Sequence, residues 1–434
     1  MEKIFLINEQ SEECVPQISL EAIAEFKKYD VPTNGVLDAS SALQLMLNNA
    51  NGVVCFPRAT YVLNNSLTVD PAKVKYIMGN GAVLKVTGDF PAIHLKGQGG
   101  NWSTGGESIP DKKLKEEADT IISNLHITSS SSDEGTAIVF EDITMCMVSK
   151  CHIYNIKDGI EIRGHNTNSI FEGNSIFKIG GNGIVYGEGS NCHQTNIVGN
   201  IITNCRTCIR FDNTHQTANV QISGNCIEIS AWPTTEQTST RCIVVDYSET
   251  SDPLFSEMEI SCNTIQGHEL SDGLIDFMSD SPNHPLQNVS LVGNQISNVK
   301  SGGYAVKLKN CHNFAISGNT YRRLPSCAVL KIEGTVDCLA FSGETAEMGA
   351  TYVATDSSAI LNYVTLSGLN GKSLTKGINI NCATINGLVI NGCNLTGGMT
   401  VSASTVDYVS IVGNISRSTN SIATCSHRVV ENNI

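Results

Sequence analysis

The chain of 434 residues carries a formal net charge of −14, is 41% hydrophobic and only 16% charged, and holds 38 glycines. That balance argues against nucleic acid as a partner, because proteins that neutralise phosphates cluster Lys and Arg. It also argues against membrane insertion, since no apolar run approaches the ~20 residues of a spanning helix. With 6% aromatics and a crowd of Gly, Asn, Ser and Thr, the composition suits many short strands and turns rather than helices.

Residues 1–30 form an N-terminal segment whose opening, Met1 to Glu9, lacks the apolar run and small-residue cleavage site of a secretory leader, so synthesis in the cytoplasm is expected. Within residues 31–70, the stretch Asn34 to Leu47 reads as a short amphipathic helix with Asp38, Ser40 or Ser41 available to cap it. A strand, a turn at Pro57 and a second strand follow. Such a helix would plug the open apolar end of whatever array comes next.

That array occupies residues 71–415. Ile170 to Ile176, Ile197 to Ile202 and Val220 to Ile227 share one template, an alternating strand, Gly-Asn, and a second short strand. From Asn174 the successive Asn positions differ by 26, 25, 38, 31 and 25 residues, and from Gly318 the glycine alone continues at 25, 25, 24 and 21. A period near 25 with three short alternating runs predicts an all-β fold, a right-handed single-stranded parallel β-helix of about a dozen coils, with the short capping helix at its start. Coils stacked about 4.8 Å apart cover both edges of every strand. Asn at the turn is expected to tolerate the left-handed region and to stack its amides from coil to coil.

The two long intervals mark loop insertions, one around Trp232 and one around His268, and a third irregular stretch runs from Gly97 to Asp119. Residues 416–434 read as a tail. The 16 cysteines are read as free thiols, small fillers of the repeat: Cys262 stands where neighbouring coils have Gly, Cys151 where they have Asn, and Cys208 and Cys242 where they have Gly159 and Gly183.

The stretch from Asn34 to Gln44, followed by Gly52 to Leu63 with Phe56-Pro57 and Tyr61, resembles the N-terminal cap of the pectate-lyase-like superfamily, whose members include bacteriophage tailspikes and many polysaccharide lyases and hydrolases. Asn34 replaces an Asp of that pattern, Ala39 the second of two paired acids, and Ala59 a Gly. The resemblance implies a protein that binds and cleaves a bacterial surface polysaccharide, as a glycoside hydrolase or a lyase, and a homotrimer carried on a virion and released by lysis. A non-catalytic glycan-binding or structural spike is the alternative. No cofactor is expected, except Ca2+ if the chemistry is that of a lyase.

The repeat also serves as a ruler for a site. Aligning the strand before the long turn of each coil puts Glu161, Arg210, Asp276, Lys307 and Lys331 in one outward column, and Arg163, Asp212, Asp246, Lys309 and Glu333 in the next, with the apolar members inward. The acids gather where the insertions occur. Asp246 and Asp276 are therefore expected as a catalytic carboxylate pair with Asp212 assisting, and Arg210, Lys307, Glu161, Trp232 and His268 as substrate contacts. In a lyase, Arg210 or Lys307 would instead take the α-proton.

Overall fold

The computed structural model describes residues 26–97, 116–212, 214, 216–230, 240–247, 254–268, 271–347, 350–372, 376–417, 420–422, 427–431 and 433. They form a parallel β-solenoid of about 14 turns. Each coil contributes to three faces. Face I aligns Ile160, Ile184, Ile209, Ile243, Ile275, Val306 and Leu330. Face II aligns Ile197, Ile222, Ile260, Leu291, Ile316 and Phe341. Face III aligns Ile153, Ile176, Ile202, Ile227, Ile265 and Ile296. These columns point inward and merge into one apolar core running from Phe26 to Ile411. Stacking lets identical shapes meet along the axis; the inward rings of Tyr186 and Phe211 lie 4.7 Å apart and 3° from parallel.

The array extends beyond the range read from the repeat. Asn34–Asp38 already pairs with Thr60–Leu63, and at the other end Ser421–Ile422 and His427–Glu431 pair with Met399–Val406 and Tyr408–Val412. These coils lack the Gly-Asn signature on which the counting rested.

Helix Ser40–Asn49 forms as expected and buries Leu43, Met46 and Leu47. They join Phe26, Phe56 and Tyr61 in the core, Phe26 and Phe56 meeting edge to face at 5.5 Å. The cap position itself is Ala39, without a side-chain hydrogen bond. Asp38, one residue earlier, accepts from the Ser40 amide at 2.9 Å and hydroxyl at 2.6 Å, and Ser40 Oγ accepts from the Asn64 amide at 2.9 Å. The polar residues thus tie the helix to the first coil rather than cap it directly.

The Asn ladder is present, but its backbone role is not the one expected. The positive φ falls on the residue before each ladder Asn: Gly173, Gly199, Gly224, Cys262, Gly293 and Gly318, at 56–66°. Asn174, Asn200, Asn225, Asn263, Asn294 and Asn319 are buried, and each amide donates to the next acceptor up the axis at 2.9–3.3 Å. Their second amide hydrogens reach backbone carbonyls, as Asn200 Nδ2 does to Phe171 at 2.8 Å. Asn is therefore selected for satisfying buried groups on both sides, while Gly supplies the left-handed turn. Cys262 at such a position and Cys151 at the foot of the ladder, where its amide donates to Asn174 Oδ1 at 3.0 Å, follow the substitutions noted in the repeat.

Candidate functional site

Face I carries both outward columns. In register run Glu161, Val185 and Arg210, then Val244, Asp276, Lys307 and Lys331. Beside them lie Asp212, Asp246, Met278, Lys309 and Glu333. Val185, Val244 and Met278 occupy outward positions, so the rule that apolar members turn inward fails at three places. A third outward column, missed in the sequence, contains Arg241 in register with Thr207, and Tyr304 in register with Gly273 and Ala328.

Two clusters form. In the first, one guanidinium nitrogen of Arg210 lies 2.8 Å from Asp212 Oδ1 and 3.7 Å from Asp246 Oδ2, so those two oxygens are no more than 6.5 Å apart, the sum of the two distances. Both carboxylates are part-exposed, at 42% and 34% of their side chains. Burial pushes the Asp246 carboxyl up, Arg210 opposes this, and the acids Asp212 and Asp280 reinforce it. Asp280 is itself held by Lys309 at 2.8 Å.

The second cluster centres on Asp276, whose side chain is only 5% exposed. Its Oδ2 meets Arg241 Nε at 2.9 Å and Lys307 Nζ at 3.8 Å, while Oδ1 is buried without a hydrogen-bond partner. Arg241 also donates to the Tyr304 hydroxyl at 3.2 Å. Lys307 and Lys331 stand 5.3 and 5.6 Å from the centre of the Tyr304 ring. Burial, then Asp276, pushes the Tyr304 hydroxyl pKa upward. The ring lies across Gly273, where a Cβ would sit 2.2 Å from Tyr304 Cε2, so the glycine makes room for it. A cleft of about 460 Å3, lined by Tyr304, Lys331, Thr351 and Asp356 among others, opens beside this cluster.

The expected carboxylate pair is therefore rearranged. Asp246 is in register with Asp212, while Asp276 faces Val244 in the neighbouring column and is engaged by cations. Glu161 is on the same face, held by Arg163 at 2.6 Å, with Val185 between it and Arg210. His268 lines a different cleft with Ser230, Gln266 and Arg323, in which none of the three aspartates takes part. Trp232 lies outside the described residues, as does Trp102.

The family described as periplasmic copper-binding protein (NosD) matches residues 63–246. No curated protein sequence matches. Among solved structures, a variant tailspike protein of E. coli bacteriophage HK620 in complex with pentasaccharide superposes with a TM-score of 0.60 at 10% identity, covering 99% of this chain and 82% of that one. The same tailspike with a hexasaccharide gives 0.59 at 11%, and the unmutated protein with pentasaccharide 0.58 at 9%, each with the same coverage. The fold is that of a tailspike-like β-helix. On this tailspike-like solenoid the two clusters of face I lie on consecutive coils, the first centred on Arg210 and Asp246, the second on Asp276 and Tyr304. No helix among the described residues is long and apolar enough to cross a membrane.

Proposed function

We propose that the chain binds a bacterial surface polysaccharide along face I and hydrolyses it, with Asp246 and Asp212 as the reacting pair. The observation that carries this reading is the shared guanidinium of Arg210, which fixes two carboxylates on adjacent coils within 6.5 Å. Retaining glycosidases hold their carboxyl groups about 5–5.5 Å apart, inverting ones about 6.5–9.5 Å. Asp246, with its raised pKa, holds the proton and gives it to the leaving glycosidic oxygen. Asp212 attacks the anomeric carbon as that bond breaks. In the second step Asp246 takes a proton from water, whose oxygen displaces Asp212 and releases the sugar with its configuration retained.

Arg241, on the same coil as Asp246, and Lys307, Lys331 and Tyr304, on the coils above, then anchor the polymer. Their concentrated positive charge suits an acidic sugar, which the net charge of the whole chain would otherwise repel. That same gathering of cations favours a second reading: a lyase, with Lys307 or Arg210 as the base and a bound cation such as Ca2+ neutralising the uronate. The tailspike-like fold supports the further reading, carried over from the sequence resemblance, of a homotrimer on a virion tail.

The test is incubation with capsular or O-antigen polysaccharides, reading new reducing ends, absorbance of an unsaturated product, and the anomeric configuration first released. Hydrolysis with retention is expected. Asp246→Asn and Asp212→Asn should each lower turnover by about 10²–10⁴-fold, the usual size of a lost acid or base, with the thermal transition almost unmoved. Unsaturated product assigns the lyase. Tight binding without product leaves a glycan-binding spike, and full activity in both variants ends the assignment of the pair.

A further inference from the structure

Around the corner from the proposed catalytic face, face II carries a second constellation of chemically active side chains. His312 and Asp337 are in-register partners on adjacent coils, and Cys338 follows Asp337 with a positive φ of 53°. That conformation breaks the strict alternation of the strand, so two consecutive side chains, Asp337 and Cys338, reach the same acceptor region instead of opposite faces of the sheet. His312 Nδ1 lies 3.2 Å from Asp337 Oδ2, and Cys338 Sγ lies 3.4 Å from Asp337 Oδ1. One ligand atom from each residue can be chosen so that all three fall within 4.8 Å of one another, and no other such trio of His, Cys, Asp or Glu occurs among the described residues.

The spacing suits one ion. Tetrahedral zinc, with bonds of about 2.0–2.1 Å to nitrogen and oxygen and about 2.3 Å to sulfur, sets its ligands about 3.3 Å apart for nitrogen and oxygen and about 3.5 Å for sulfur and oxygen. The two contacts, 3.2 and 3.4 Å, stand near those values, one on each oxygen of the Asp337 carboxylate. Binding needs one Asp337 oxygen to turn towards both partners and the imidazole and thiol to draw together, and the latter belong to side chains with room to turn: His312 is 39% exposed and Cys338 is exposed. The donor set itself, thiolate, imidazole and one carboxylate, selects a borderline transition metal over Ca2+ or Mg2+, which take oxygen ligands.

We propose that His312, Asp337 and Cys338 bind a divalent transition metal of the zinc class, clamping two successive coils at face II and leaving the fourth coordination position to water or an external ligand. The site is independent of the carboxylates of face I and lies outside the residues matched by the copper-binding family. Without a metal, the same geometry is an ordinary triad in which imidazole and thiol both hydrogen-bond to Asp337, and the experiment separates the two.

The whole chain, stripped with a chelator and kept reduced, is titrated with Co2+ as a spectroscopic stand-in and then with Zn2+. The expected result is one cobalt per chain with a thiolate-to-metal charge-transfer band and tetrahedral visible bands, displaced by zinc. Cys338→Ser removes the charge-transfer band. His312→Ala lowers zinc affinity by about tenfold or more. Cys262→Ser, at the other exposed thiol among the described cysteines, changes nothing. Absence of stoichiometric cobalt binding, or a band that survives Cys338→Ser, overturns the proposal. All three substitutions are at partly or fully exposed positions, so each variant is expected to fold, and a thermal transition measured without metal verifies it.

Discussion

Glu344 stands in the ladder where six coils below it carry Asn. Its Oε1 accepts from the amide nitrogen and the side chain of Asn319, both at 3.3 Å, while Oε2 is buried without a hydrogen-bond partner. Burial pushes its carboxyl from 4.5 up to about 7. A carboxyl whose folded pKa is raised binds its proton more tightly folded than unfolded. Its stabilisation is therefore complete below about pH 4.5 and is lost as pH rises through about 7. At 1.36 kcal/mol per pH unit that loss amounts to ~3 kcal/mol. Glu344→Gln keeps the acceptor and carries no charge. Urea unfolding of the two proteins from pH 4.5 to pH 8 should show the variant gaining on the parent as pH rises, with most of the gain below pH 7.5. Parallel curves would mean that Glu344 is already ionised without cost.

Strands show both how far the sequence can be read and where it stops. Asp212, Asp246, Asp276 and Lys307 were placed on the correct face by alternation alone, because five successive coils keep one register. Arg241 and Tyr304 were not found, since alternation breaks just after them. Cys242-Ile243, Leu274-Ile275 and Ala305-Val306 each put two buried residues in a row at the corner. That doublet recurs in the sequence and would have marked the preceding residue as outward. The engagement of Asp276 by Arg241 was hidden for the same reason, and with it the reason why Asp246 pairs with Asp212 instead. What no strand pattern could reveal is the space over Gly273. Gly273→Ala forces the Tyr304 ring to move, because the new methyl would sit 2.2 Å from it. Overpacking of this kind costs about 1–3 kcal/mol. The expected outcome is a lower urea midpoint together with weaker polysaccharide retention, as the displaced ring releases Arg241. An unchanged midpoint would show that the ring swings aside freely.

For the molecule as a whole, the cysteines follow the same logic as the asparagines. Cys205, Cys208 and Cys242 are fully buried, and burial pushes the Cys205 and Cys242 thiols well up. Thiols in that state neither react nor ligate, which agrees with their role as fillers of the tube. Native protein should release colour from a thiol reagent at Cys262 and Cys338, the exposed sites among the described cysteines, and at few others. Full reaction should follow only on denaturation, with a total near 16 when no reductant is added. A large shortfall under those conditions means disulfides form. The cap and the period made the architecture legible because both are local and repeated; the trio of His312, Asp337 and Cys338 was not, because the left-handed position that Cys338 shares with Asn219, Asn288 and Asn313 on earlier coils lies outside the Gly-Asn turn on which the repeat was counted.

A ladder whose rungs are interchangeable also makes length a quantised property. Each coil touches only its neighbours, so removing one complete rung joins surfaces that are already alike. Excising Ser175 to Asn200 would bring Ile201 onto Ser175's former neighbour His152, and Gln216 onto His165. The tube would shorten by about 4.8 Å, and Glu161 would come to rest directly against Arg210. A cut of half that size would instead send every later residue to the wrong face. The turns accommodate part-coil insertions, as the loops between Asn225 and Asn294 show. Within the strands, however, the insertions and deletions that survive should come in whole coils, and each one slides one part of face I past another, offering the molecule a new arrangement of charges without a single substitution.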